Sequence, residues 1–559
     1  MMAREEGSTM SARVRMRMDA SRERLLNFAM IAVAFVLVLL PERDYVPIWD
    51  GRVYANCVMG AAADGLSLES LRCAGHPTQG WTLVLALPQL FRFGDVGLLL
   101  FTNIALGIIA LASIRVVLGR VFPEPGHARQ LDFLTLICAV HPVVLSTLVQ
   151  PNVDFGVYVF FFASLAALLS GAWGWTALAG TLLCFSKETG VLVYGVMLGL
   201  HAVWETAYAE GALANKLRFG VAQLARRWVT ALPLLLFAAV LLWRTATVGS
   251  TGVWKQTWQH GTMDGFNFFD LSEATFRSYA AGLWVLGFGW VMSAIIGADA
   301  LRGLVRMARR APDRAVRGAD PRLLGYLTVV TIVLTYLLTS FRTWSNLRYF
   351  ALLYPLFVML MFAALLRLGL GARARAAVLG VVAALFVLAT YRSVDPVSRH
   401  VYGTFSIGER EMYRMASITG EFGGPGRDEL VYNLEFTGYH HVQNALFRQM
   451  RPTSHTIIAT SRSVRWNVWS QLDSATFRRT LRRESVIVPT YADEMDVAAM
   501  GPARAPEVWF LEFSNHADQD SSLEGLARTY REVGIVRVHA RGHVLKVHHL
   551  VRRDSTVVP

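Results

Sequence analysis

The stretch "MIAVAFVLVLLPERDYVPIWDGRVYANC", residues 30–57, decides how the rest of the chain is read. It closes an apolar run over residues 24–41, long enough to cross a bilayer, whose core takes about 20 helical residues. No small-residue cleavage site follows "FVLVLL", so the run reads as a retained anchor and not as a removed signal segment. Just beyond it stands an acid, Asp50, preceded by Ile48 and Trp49 and followed four residues later by Tyr54. Whether Asp50 caps a helix or does chemistry depends on what else reaches the same side of the membrane.

Similar runs recur at 95–119, 131–149, 153–170, 172–186, 188–206, 228–244, 276–299, 323–340, 348–368 and 374–391, giving about eleven spans. The composition agrees: 54% of the 559 residues are hydrophobic and 17% charged, too little charge to clothe a soluble protein of this size. The net charge of +13 would suit a nucleic-acid partner only if the basic residues formed a patch. They fall between the apolar runs instead. With a cytoplasmic N-terminus, the inner segments 1–24, 119–132, 207–227, 301–322 and 367–375 hold 22 Lys and Arg, and the outer short segments about a third as many. The basic charge therefore orients a multi-pass protein of the inner (plasma) membrane, with no nucleic acid as partner.

An odd number of spans leaves the tail outside, on the side of Asp50. The expected fold is an α-helical polytopic membrane protein with a C-terminal extracytoplasmic α/β domain. Its parts are a cytoplasmic segment 1–23, a membrane domain 24–391 with an external segment 42–94, and the tail 392–559. The external segment reads as two short helices lying along the outer face. The loop 245–275, with Trp254, Trp258 and His260, is either an interfacial aromatic belt or a lid over a substrate. In the tail, "ELVYNLEF", "HTIIAT", "SVIVPT" and "EVWFLEF" read as strands, and "SLEGLARTYREV" as a helix. A closing hairpin is expected around Arg541 and Gly542, and an amphipathic helix near 409–418. Cys57 and Cys73 share the first external segment and are either a disulfide or two thiols; Cys138 and Cys184 lie in apolar runs as packing residues.

Charged residues at the outer ends of spans are the candidates for function, because charge near membrane depth is costly. Asp50 has apolar neighbours that would raise its pKa toward the range of a general base, and it is equally a favoured helix N-cap. Asp154 carries the same two readings. Lys187 and Glu188 sit in a connection too short to reach far into water, as an ion pair with each other or as an anion site. Arg348 either snorkels to the interface or holds a phosphate with its guanidinium fork. His76 with Pro77 reads as helix-start punctuation.

Taken in order, "DGRVY", "GHPTQGWTLVLALPQLFRFG", "LVQPNVDFGVYVFF", "FSKETGVLV" and "LRYFALLYPL" resemble the GT-C superfamily of membrane glycosyltransferases. The likeness is to the group of protein O-mannosyltransferases and the lipid A aminoarabinose transferase, and it covers roughly residues 24–391. It implies a catalytic Asp50 with Tyr54 beside it, although Gly51 stands where the family usually has Glu. It further implies that His76, Asp154, Lys187, Arg348 and Tyr349 line the substrate site, although Glu188 and Thr189 stand between Lys187 and the glycine expected after it; Glu188 is a substrate-binding candidate by its place beside Lys187. Trp258 and His260 are candidates for acceptor contact.

The donor implied by that resemblance is a sugar on a polyprenyl phosphate, and the acceptor a hydroxyl on a glycan, lipid or protein of the cell envelope. Such a donor asks for an apolar groove among membrane lipid, cations for its phosphate, and a base facing the anomeric carbon. No metal is obligatory on this reading. The alternative places Mg or Mn between Asp50 and Asp154. The rival classes are a polyprenyl-linked glycan polymerase or ligase and a lipid or sugar transporter, the last disfavoured by the lack of a repeat.

Overall fold

The computed structural model describes residues 23, 25–43, 49–73, 76–92, 96–248, 282–309, 316, 318–339, 347–391, 395–402, 404–407, 410–413, 434, 457–460, 490–493, 497, 506–512, 523–540 and 543–554. Helix α1 (Leu25–Glu42) tightens into a 3-10 turn at Leu40–Glu42, where Pro41 lacks the N–H that would continue the ladder. Two shorter helices follow, α2 (Trp49–Asp64) and α3 (Gln79–Gln89), as the sequence suggested for the first external segment. The long α4 (Val96–Val121) returns toward α5 (Ala128–Ala139). Asp132 of α5 accepts a hydrogen bond from Asn27 of α1 at 2.9 Å and pairs with Arg115 of α4 at 2.8 Å, so one carboxylate joins three helices.

Pro142 splits the next span. It opens α6 (Pro142–Val149) at the position where a missing N–H does least harm, and α6 departs from α5 by 51°. Helix α7 (Val153–Leu169) is apolar on every side and buried along almost its whole length, as expected of a central helix. It is followed by α8 (Trp173–Cys184) and α9 (Glu188–Tyr208), whose first turn meets the last turn of α8 so closely that a Cβ on Gly190 would collide with the Leu183 carbonyl. Next come α10 (Leu213–Arg226), α11 (Leu232–Val248), α12 (Gly289–Ala308), α13 (Pro321–Thr339), α14 (Leu353–Arg367) and α15 (Ala372–Tyr391).

Among the described residues, α1, α4, α9, α13 and α15 are long and apolar enough to cross a membrane. Counting the bent pairs α5–α6 and α10–α11 as one span each gives up to seven, and α7 and α14 are apolar but shorter. Some of the runs expected from sequence as spans do not form long straight helices, for physical reasons. Residues 172–186 form a helix of 12 residues, about 18 Å long at 1.5 Å per residue. The run at 276–299 is interrupted at Phe288, whose left-handed φ of 63° stops a helix from passing through it, so α12 begins at Gly289. Arg348 does not open a long helix either; it lies in a 3-10 turn, Leu347–Phe350, ahead of α14.

Beyond α15, helix α16 (Pro396–Tyr402) is held by Asp395. Its carboxylate accepts from Val397 N, Ser398 N and Ser398 Oγ, and across the fold from Phe288 N at 3.2 Å and Trp290 Nε1 at 3.1 Å. Strands β1 (Thr404–Ile407) and β2 (Arg410–Tyr413) then pair antiparallel, which corrects the amphipathic helix expected near 409–418. Only Gly408 and Glu409 separate the two strands, and a two-residue loop led by Gly is a hairpin signal that overrides a weak helical period.

Among the described residues that follow, a five-stranded sheet of order β4-β3-β5-β7-β6 is formed by β3 (Ile457–Thr460), β4 (Thr490–Asp493), β5 (Glu507–Glu512), β6 (Tyr530–Ala540) and β7 (His543–Arg552). β3 is parallel to β4 and β5, while β7 is antiparallel to β5 and β6. The hairpin flanking Arg541 and Gly542 pairs Ala540 with His543, as the sequence suggested. The helix expected over 522–533 is cut short, with helical residues at 523–527 and Tyr530 already in β6. Ile457, Val508, Phe510, Tyr530 and Leu550 form the core of this sheet. Of "ELVYNLEF" only Leu434 is described, and of "SVIVPT" only Thr490, so those two expected strands lie essentially outside the described residues.

Candidate functional site

Three chain segments far apart in sequence bring their charges to one point. Asp154 lies in the first turn of α7, just after the extended residue Asn152 that breaks from α6. Lys187 is the N-cap of α9, also extended (φ −168°, ψ 158°), and Arg348 belongs to the 3-10 turn before α14. Lys187 Nζ donates to Asp154 Oδ1 at 2.7 Å, and Arg348 Nε forms an ion pair with Oδ2 at 3.1 Å. The three side chains are 12%, 5% and 10% exposed for Lys187, Asp154 and Arg348, so solvent screens this cluster little. Tyr349 lies against both cations, with Lys187 Nζ 4.0 Å and the Arg348 guanidinium carbon 5.5 Å from its ring centre. Burial disfavours the charge on Lys187, but Asp154 and Tyr349 outweigh that effect and hold its pKa above the ordinary lysine value. Two cations therefore share the Asp154 carboxylate.

A second pair adjoins the first. His76 Nδ1 is 3.0 Å from both carboxylate oxygens of Glu188, the residue after Lys187. Lys187 and Glu188 therefore do not pair with each other as one sequence reading had it. They take different partners, because the chain turns from an extended residue into a helix between them and their side chains diverge. His76 does more than mark a helix start: it forms a β-bridge with Cys73, and Cys73 is disulfide-bonded to Cys57 of α2. Thr78 braces the same turn, accepting from Cys73 N at 2.8 Å and donating to the Leu71 carbonyl.

The start of α3 is pressed onto this region by small residues. Gly80 N donates to the Phe185 carbonyl at 2.7 Å, and a Cβ on Gly80 would stand 2.8 Å from the Leu182 carbonyl oxygen. Gly156 of α7 admits the Trp81 ring, whose centre is 6.1 Å from that of Phe155. The disulfide, the His76–Glu188 pair and the Lys187–Asp154–Arg348 cluster thus form one connected series reaching α2.

Asp50 belongs to α2 by its backbone, two turns before Cys57, but its side chain lies outside the described set. Tyr54 of the same helix is buried. Trp254, Trp258 and His260 lie outside the described residues. Both oxygens of Asp154 face cations, an arrangement that fits a divalent metal poorly at this carboxylate, and among the described residues no cluster of His, Cys, Asp or Glu could hold one. Sequence reading missed Arg244, a buried arginine near the end of α11. Its signal was present in "LLLFAAVLLWRTATV", a charge inside an apolar run, and went unweighed because the run ends there.

No family model and no curated protein matches the chain. Among solved structures it is similar to ArnT from Cupriavidus metallidurans bound to undecaprenyl phosphate, with 14% identity and a TM-score of 0.45, covering 94% of this chain and 97% of that one. It is also similar to the archaeal oligosaccharyltransferase AglB from Archaeoglobus fulgidus in complex with an inhibitory peptide and a dolichol-phosphate. There the identity is 10% and the TM-score 0.42, with 96% of this chain and 75% of that one covered.

Proposed function

We propose that the protein is a membrane glycosyltransferase that moves a sugar from a polyprenyl-phosphate donor to an acceptor hydroxyl on the outer face of the inner membrane. The observation that carries this reading is the shielded Lys187–Asp154–Arg348 cluster. A lysine and an arginine held together at the ends of apolar helices suit a phosphate whose lipid tail stays among those helices.

In the reaction, the acceptor oxygen attacks the anomeric carbon as its proton passes to Asp50, the general base. The bond from that carbon to the phosphate oxygen breaks, and the bonding pair leaves with the lipid phosphate. Lys187 and Arg348 take up the charge that develops there, with Asp154 and Tyr349 fixing their positions. A single displacement inverts the anomeric centre. Because side-chain cations meet the leaving charge, no metal is obligatory; the alternative, Mg or Mn held by Asp50 and Asp154, would require the two cations to move off Asp154. His76 and Glu188 frame the sugar side, and Trp258 and His260 contact the acceptor, which is a glycan, lipid or protein.

The topology belongs to the same proposal. Residues 1–23 lie in the cytoplasm, 24–391 form a GT-C-like membrane domain, and the α/β domain 392–559 stands outside, over the opening of the groove. Purified protein given a polyprenyl-phosphate sugar and assayed for sugar release tests the chemistry. Asp50→Asn should slow release roughly a hundred- to ten-thousandfold with donor affinity retained, and Arg348→Ala should weaken donor binding. Undiminished turnover by a folded Asp50→Asn protein would refute the assignment of the base, and undiminished donor affinity in Arg348→Ala would refute the phosphate site.

A further inference from the structure

Arg244 stands near the C-terminal end of α11, in the helix with Leu235, Leu236, Leu242 and Trp243, all exposed. At 100° per residue those four share one face and Arg244 lies on the opposite one, turned inward. Its side chain is 9% exposed. Its ion-pair partner among the described residues is Glu69, whose oxygen is 3.7 Å away and whose side chain is 64% exposed. Arg244 Nε is shielded and has no hydrogen-bond partner among the described residues. A guanidinium does not escape burial by releasing its proton, as a lysine can, so this arrangement leaves a charge desolvated and loosely matched.

The position relative to the first cluster follows from packing. Phe237 of α11 meets Phe185, two residues before Lys187, with ring centres 5.5 Å apart. Arg244 is seven residues further along α11, roughly 10 Å beyond that contact at 1.5 Å per residue. It ends against the turn of Ser67 to Arg72, in the segment that also carries Cys73 and His76. Ser67 and Ser70 hold that turn by mutual side-chain hydrogen bonds, so Glu69 is presented from a firm turn on an exposed side chain.

We infer that Arg244 is a second anion-binding residue, for a phosphate monoester or diester, with Glu69 as the counter-ion that an arriving phosphate displaces. A guanidinium fork matches two phosphate oxygens, and the exposed Glu69 can leave without uncovering a buried charge. The phosphate comes from an outer-leaflet lipid headgroup or from the acceptor. Only the acceptor source rests on the transferase reading.

The test is inorganic phosphate binding to the purified full chain in nonionic detergent, by calorimetry and by shift of the melting temperature, without turnover. In Lys187→Met, which removes a cation of the first cluster, saturable phosphate binding should persist. Adding Arg244→Gln should weaken it at least tenfold, while Glu69→Gln, a change at an exposed side chain that leaves folding intact, should tighten it at least threefold. Arg244→Gln alone should melt no lower than wild type when phosphate is absent. Equal phosphate affinity with and without Arg244, or no tightening in Glu69→Gln, overturns the inference. In nanodiscs of phosphatidylglycerol, competition against inorganic phosphate identifies the lipid as the source, and unchanged phosphate affinity identifies the acceptor. Sugar release by Asp50→Asn is read separately, so either proposal can fail alone.

Discussion

Asp154→Asn removes the negative charge from between two cations that the protein shields almost fully. At an effective dielectric of about 20, unit charges about 4 Å apart attract by about 4 kcal/mol, and Asp154 makes two such contacts. Desolvation offsets most of that gain while the cluster is whole. Once one member of a buried pair is lost the offset remains without the attraction, and the change costs about 3–5 kcal/mol. Lys187 and Arg348 would then repel each other across a neutral amide. Chemical unfolding of purified protein in phosphate-free detergent should show the loss. Adding Lys187→Met to Asp154→Asn should recover at least about 1 kcal/mol of it, because the second change removes the orphaned charge. Inorganic phosphate should stabilise Asp154→Asn more than wild type, since an anion can stand where the carboxylate stood. If Asp154→Asn unfolds within about 1 kcal/mol of wild type and phosphate makes no difference, the cluster is not an electrostatic unit and the phosphate reading loses its base.

Reducing the Cys57–Cys73 bond, or replacing both cysteines with Ala, should lower stability by about 3 kcal/mol, the chain-entropy value for a closed loop of about 15 residues; comparing melting with and without reductant checks this. Gly190→Ala should destabilise by about 1–3 kcal/mol because its Cβ meets backbone and not a yielding side chain, whereas Gly199→Ala, with open space around it, should be near neutral in the same unfolding assay. In the tail, burial raises the pKa of Glu512, but hydrogen bonds from His548 and Lys546 outweigh it and hold the pKa below the usual carboxylate value. Its contribution to stability is therefore complete above the unfolded glutamate pKa of about 4.3 and is lost as pH falls through the lower folded value. Unfolding measured from pH 6 to pH 3 should show this acid-side loss in wild type and less of it in Glu512→Gln.

The ends of the apolar runs were the legible part of the site. Asp154, Lys187 and Arg348 each drew notice from sequence because a charge beside a span is costly, and the structure brings those three together. Their pairing was not legible, because adjacency along the chain says little about direction where backbone turns from extended to helical, as it does between Lys187 and Glu188. The two short helices within residues 42–94 and the final hairpin were readable from turn residues and period. The short hairpin of β1 and β2 was not, since its few residues satisfy a helical period almost as well as an alternating one. Hydropathy measures length along the sequence and registers neither the bend at Pro142 nor the left-handed Phe288, so it did not show that the runs at 131–149 and 276–299 are not single straight helices.

The carboxylate of Asp395 ties the start of α16 to Phe288 and Trp290 at the start of α12, and Ser398 Oγ adds a bond to the Val285 carbonyl. Although the tail follows α15 in the chain, its root is fastened to a helix that entered the fold about a hundred residues earlier. A tilt of α12 would carry α16 with it, and a nick between residues 391 and 395 would leave the two pieces still clasped.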